Sequence, residues 1–224
     1  MAFTTVKKDE QSVKDGGNSK FINASGIYPV TLLAPFVDVN EKGSVVVNLA
    51  VDFEGQTQAI YGNMRITNNG GATNEIGAAL FNKLCVVCGI EGDVEDPIEG
   101  ILPIGKKGAD KEVAVLEDLS DKEILVRVQQ EYSINPGKGI RESQVLKAFY
   151  TADGASAAEL VNESEVGVQL AKDQDYASNV TYRDGLDAEQ VATWIAGGRK
   201  AGGSTGGAKP AGKPSFAKKS FGKK

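Results

Sequence analysis

The sequence predicts a mainly β protein: a five-stranded barrel with one helix between strands three and four, then a disordered basic tail. Three observations predict it. Apolar residues recur at period two in short runs separated by Gly, Asn and Asp turns. One central stretch switches to helical spacing. The last residues, 199–224, are mostly Gly, Ala, Lys, Ser and Pro with two isolated phenylalanines, too little apolar surface to offset the entropy of ordering.

Residues 1–24 read as a flexible N-terminal arm, with a turn-rich break at Asp15-Gly16-Gly17-Asn18. Ile27 to Val39 reads as strand one, and Pro29 and Pro35 mark an edge or a bulge. Val45, Val47, Leu49, Val51 and Phe53 place one apolar face on strand two, and Glu54-Gly55 closes a hairpin into strand three, Gln58 to Thr67. There Ile60, Met64 and Ile66 alternate against Tyr61, Asn63 and Arg65. A helix follows from about Asn74 to Cys88, capped by Thr73 or Asn74, with Ile76, Leu80, Phe81, Leu84 and Val87 as its apolar stripe and Gly89 as its stop. Glu91 to Gly100 reads as an acidic loop, and Ile101 to Val115 as one short strand interrupted by Gly105-Lys106-Lys107-Gly108. Ile124 to Tyr132 and Ile140 to Tyr150 are the last two strands of a core spanning 25–150. This is the element order of the OB-fold, a five-stranded Greek-key barrel. Residues 151–198 form an extension with a turn of helix near Ser156–Val161 and a short helix at Asp187–Ile195.

The chain has 25 basic and 30 acidic residues. Eight of the basic residues and none of the acidic ones lie in 199–224, so residues 1–198 hold 17 basic against 30 acidic, a net charge of −13. Such segregation points to a polyanion or an acidic surface as partner. No apolar run approaches the ~20 residues of a membrane helix, and the polar N-terminus lacks the apolar stretch of a secretory signal. The simple reading is a cytoplasmic protein.

Histidine is absent, which removes the commonest general base and metal ligand. No catalytic residue, metal or cofactor is expected, and the chain reads as a non-enzyme. Cys85 and Cys88 have the CxxC spacing but no second pair, and they lie at the wrong end of the helix for thiolate stabilisation, so they read as packing residues. The acidic run Asp93, Glu95, Asp96 and Glu99 is the one candidate for carboxylate chemistry and reads as a solvated loop.

Tyr61, Asn63 and Arg65 share one face of strand three, and the strand-two and strand-three face of an OB-fold binds oligonucleotides. An aromatic ring there stacks on bases and an arginine attracts phosphate. Lys106 and Lys107 in the Gly loop, with Arg127, Tyr132, Lys138, Arg141 and Lys147 on strands four and five or the loop between them, complete the candidate surface. In the tail, Lys213, Phe216, Lys218, Lys219, Phe221, Lys223 and Lys224 interleave charge with aromatic rings, which suits single strands or an acidic protein.

Gly26-Ile27-Tyr28-Pro29-Val30 opening the barrel, the two hairpins after it, and Leu80-Phe81-Asn82-Lys83-Leu84-Cys85-Val86-Val87-Cys88-Gly89-Ile90 resemble phage-encoded single-stranded-DNA-binding proteins with an OB-fold. The resemblance covers roughly residues 25–150. It implies sequence-independent binding of single-stranded DNA in phage replication, recombination or repair, within the host cytoplasm. It also implies replication or recombination proteins as partners at the tail, and allows a homo-oligomer. The tail departs from the acidic tail of better-known members. The alternative is a structural or interaction protein, a virion or adaptor component, whose basic tail docks an acidic partner.

Overall fold

The computed structural model describes residues 21–105 and 108–199. Lys106, Lys107 and the tail residues named above lie outside the described residues, as does the arm to residue 20. The described residues form two compact units, one of 21–132 with 142–181, the other of 133–141 with 182–199.

The first unit is mainly β. Strand β1 runs Gly26–Val39, β2 Val45–Phe53 and β3 Gln56–Arg65. They form an antiparallel meander, as the alternation predicts. Glu54 and Gly55 both take positive φ, 51° and 76°. That is the twist a two-residue hairpin needs, and Gly55 meets no steric cost there. β1 has different neighbours along its length. Gly26–Leu32 pairs with β6 (Lys122–Asn135), and Thr31–Val39 pairs with β2. A bulge between Leu32 and Ala34 marks the exchange. Both prolines suit this. Pro29 precedes the start of the β2 ladder, so its missing N–H faces no partner there, and Pro35 follows the bulge. β6 also pairs with β7, Gly139–Thr151. The result is a curled antiparallel sheet. Among the described residues, β3 pairs only with β2 and β7 only with β6.

Two strands replace the single one expected in 101–115. β4, Ile98–Leu102, pairs with β5, Lys111–Val115, and β5 extends the sheet from β1 through Phe36 and Val37. The acidic loop therefore ends at Pro97. β4 is short and contains Gly100, so it carries little local signal, and its pairing is what makes it a strand.

Helix α1 runs Glu75–Val87, and Asn74 caps it by accepting the Gly77 N–H at 2.9 Å. Its buried residues are Gly77, Leu84, Cys85 and Val87. Ile76, expected in the apolar stripe, is 84% exposed. Gly77 explains the rotation. A β-carbon built there would stand 1.9 Å from the Arg65 carbonyl oxygen, so the helix presents its glycine to the β3 backbone and turns Ile76 outward. The main core packs Leu32, Leu49, Val51, Ile60, Met64 and Leu84 with Val126, Val128 and Leu146.

The extension contains three helices: α2 Ala157–Val161, α3 Val168–Gln174 and α4 Ala188–Ala196. α3 falls in a stretch with no readable pattern, and none of its residues is buried. In the second unit Asp187 and Gln190 form a capping box at α4, and Val191 is buried. A two-residue strand, β8, spans Thr181–Tyr182. Among the described residues, no helix is long and apolar enough to cross a membrane.

Candidate nucleic-acid interface

The bulge in β1 changes which residues face the main core. Before it Val30 and Leu32 point inward; after it Val37 packs on the core while Phe36 turns to the opposite face. There Phe36, Ala50 and Ile104 form a second, smaller cluster, with Leu33, Ala59, Leu102 and Val113 packed on it. β2 is thus buried on both faces: Val47, Leu49 and Val51 on one, Asn48 and Ala50 on the other. Buried Asn48 donates to the Asp38 carboxylate at 2.7 Å.

Tyr61 stands beside this cluster. Its ring meets that of Phe36 edge to face, centroids 5.9 Å apart and planes at 84°. The Lys111 ammonium lies 5.7 Å from the Tyr61 centroid and 5.5 Å from that of Phe36. These are cation–π distances. Tyr61 remains 50% exposed, so the ring is held on one side and open on another. The β2–β3 register shifts here: Val47 faces Met64 and Leu49 faces Ile60, leaving Asn48 alone against Tyr61, Gly62 and Asn63. Such a bulge re-aims side chains out of the regular ladder. Arg65 is exposed farther along β3, on the face that Tyr61 occupies; Asn63 lies between them in sequence, with its side chain outside the described residues.

Tyr61 also borders an open cleft of about 630 Å³ along β3. Phe21, Gln58, Ile104, Gly105 and Gly108 line it as well. Phe21 is 50% exposed. Gln58 accepts the Ile22 N–H at 3.0 Å through Oε1.

The other predicted residues separate. Arg127 is occupied: its guanidinium pairs with Asp173 of α3 at 2.6 Å, and Tyr150 donates its hydroxyl to the same carboxylate. Burial, with that hydrogen bond second, holds the Tyr150 phenol above its ordinary pKa. Tyr132 is 5% exposed, so it offers no stacking face. Lys147 is half-buried on β7 in the first unit. Lys138, at the β6–β7 turn, and Arg141, near the start of β7, are exposed in the second unit. Among the described residues, the one predicted residue that meets other groups on this face is Tyr61, through its contacts with Phe36 and Lys111. Sequence reasoning missed Phe36 and Lys111, because the first reads as a core strand residue and the second becomes its neighbour only through the β1–β5 pairing.

Cys85 and Cys88 are free and buried. Burial raises their pKa values to about 11 and about 12, which leaves both as protonated thiols. Among the described residues, no group of three or more His, Cys, Asp or Glu side chains is placed to hold a metal ion. No protein-family model matches the chain, and no curated protein matches it.

Proposed function

We propose that the chain is a sequence-independent single-stranded-DNA-binding protein of the OB type, acting in phage DNA replication, recombination or repair. The observation that carries the reading is Tyr61: a half-exposed ring, braced by Phe36 and accompanied by the Lys111 ammonium, on the outer face of the third strand. A half-exposed ring with an ammonium over it offers the stacking surface and the charge that suit an unpaired base and its phosphate. The strand order supports the fold reading. β1 pairs with β2 on one side and β6 on the other, and a helix follows β3. On this reading β1, β2, β3, β6 and β7 are the five barrel strands, and β4–β5 is a hairpin inserted after the helix.

Fluorescence anisotropy with labelled oligo(dT) and a matched duplex tests it. The expected result is preference for the single strand, with Tyr61→Ala weakening binding by about 5- to 150-fold, the equivalent of ~1–3 kcal/mol per stacked base. Equal binding to both, or a silent Tyr61→Ala, favours an interaction protein instead.

A further inference from the structure

Three clefts on the first unit differ in chemistry. One, of about 290 Å³, is bordered by Asp52, Glu54 and Glu123. Another, of about 280 Å³, is bordered by Glu159 and Glu165. Carboxylates at a rim repel a phosphate backbone, by more where water is partly excluded. The third, of about 630 Å³, has no carboxylate among the described residues of its lining, although residues 1–198 carry a net charge of −13. Among the described residues, it alone of the three is bordered by two half-exposed aromatic rings, Phe21 and Tyr61. Gly105 and Gly108 line it and flank Lys106 and Lys107 in sequence. The Lys111 ammonium attends the Tyr61 ring.

We propose that this cleft is a base-binding subsite that takes one unpaired nucleobase, with Phe21 supplying a second stacking ring beside Tyr61. The proposal rests on the single-strand reading and adds a residue outside the barrel strands. Phe21 is fixed for this role by its neighbour. Ile22 is 3% exposed in the main core, and its N–H is bonded to Gln58, which itself lines the cleft. The chain is therefore clamped one residue beyond the ring, which lowers the entropy lost when a base is bound. The volume lies within the ~300–1,000 Å³ range of small-ligand sites, room for a base and its sugar.

The test is titration of the full chain with oligo(dT) carrying one 2-aminopurine, whose fluorescence is quenched by stacking on an aromatic ring. Quenching by the wild-type chain is expected, with Phe21→Ala losing the quench and weakening binding about 5- to 150-fold. Phe21→Tyr should restore both, since it keeps the ring. Phe21 is half exposed, so its truncation leaves the core in place, and an unchanged urea midpoint verifies this. If Phe21→Ala leaves quench and affinity unchanged while Tyr61→Ala weakens binding, the subsite is overturned and the single-strand reading stands. If the wild-type chain shows no preference for single strands, both fall together.

Discussion

At the scale of single residues, Gly77 decides more than its size suggests. It lies in the first turn of α1, where alanine has better helix propensity by about 1 kcal/mol. Yet a β-carbon there would overlap the Arg65 carbonyl, and that neighbour is backbone, which cannot swing away. The clash outweighs the propensity gain. Gly77→Ala is expected to destabilise the fold toward the upper end of the ~1–3 kcal/mol typical of overpacking, read as a lower urea midpoint. A stabilised variant would mean that α1 can slide along β3. The sequence shows a glycine in a helix, which reads as a weak position; only the approach of β3 makes it a required one. Tyr132 is the reverse case. It looks like a stacking ring on a strand, and burial turns it into a packing residue.

At the scale of elements, α2 shows how a short helix is held. Its capping box joins Ser156 and Glu159, and the Glu159 carboxylate accepts N–H bonds from Ser156 and Gln169, both at 2.7 Å, and from Gly167 at 3.4 Å. Those donors, with Ser156 first, lower its pKa from 4.5 to about 2. A carboxyl whose folded pKa is depressed stabilises the fold fully above its unfolded pKa and loses that contribution as pH falls through the folded value. Glu159→Gln should therefore be less stable than wild type at pH 7, by roughly the 1.5–3 kcal/mol of a charged hydrogen bond. The two thermal midpoints should converge as pH drops from about 4.5 toward 2. A gap that persists at pH 2 would assign the loss to packing. α3 has no buried residue of its own; the Asp173 carboxylate ties it to Arg127 and Tyr150. That tie joins groups 46 and 23 residues apart in sequence, which is why Arg127 looks available in the sequence and is not.

At the scale of the whole molecule, charge is divided between an acidic body and a basic end. An acidic body repels DNA beyond contact, and within a Debye length of ~8 Å local groups take over. On the single-strand reading, the tail lysines add phosphate contacts. A chain ending at Gly198 should then bind oligo(dT) more weakly, with a shallower dependence of log K on log salt. Each lost contact should remove about 0.7 from the slope, measured by anisotropy at several salt concentrations. An unchanged slope would assign the tail to an acidic protein partner.

Local chemistry determined the hairpins and the helix, while strand ends moved: β3 runs Gln56–Arg65 where the alternation predicts Gln58 to Thr67. Glu54-Gly55 fixes a turn, Asn74 caps α1, and period-two patterning marks β1, β2 and β3, because each depends on neighbours within a few residues. The same patterning placed Tyr61 and Arg65 on the outer face of β3. What the tertiary structure decided is everything set by distant partners. The bulge at Leu32 and Ala34 reverses the facing of β1 and sends Phe36 to the outer side. The β1–β5 pairing brings Lys111 to Phe36 and Tyr61. Asp173 claims Arg127. A one-residue slip in a strand exchanges its two faces, and no local pattern records which partner will demand it.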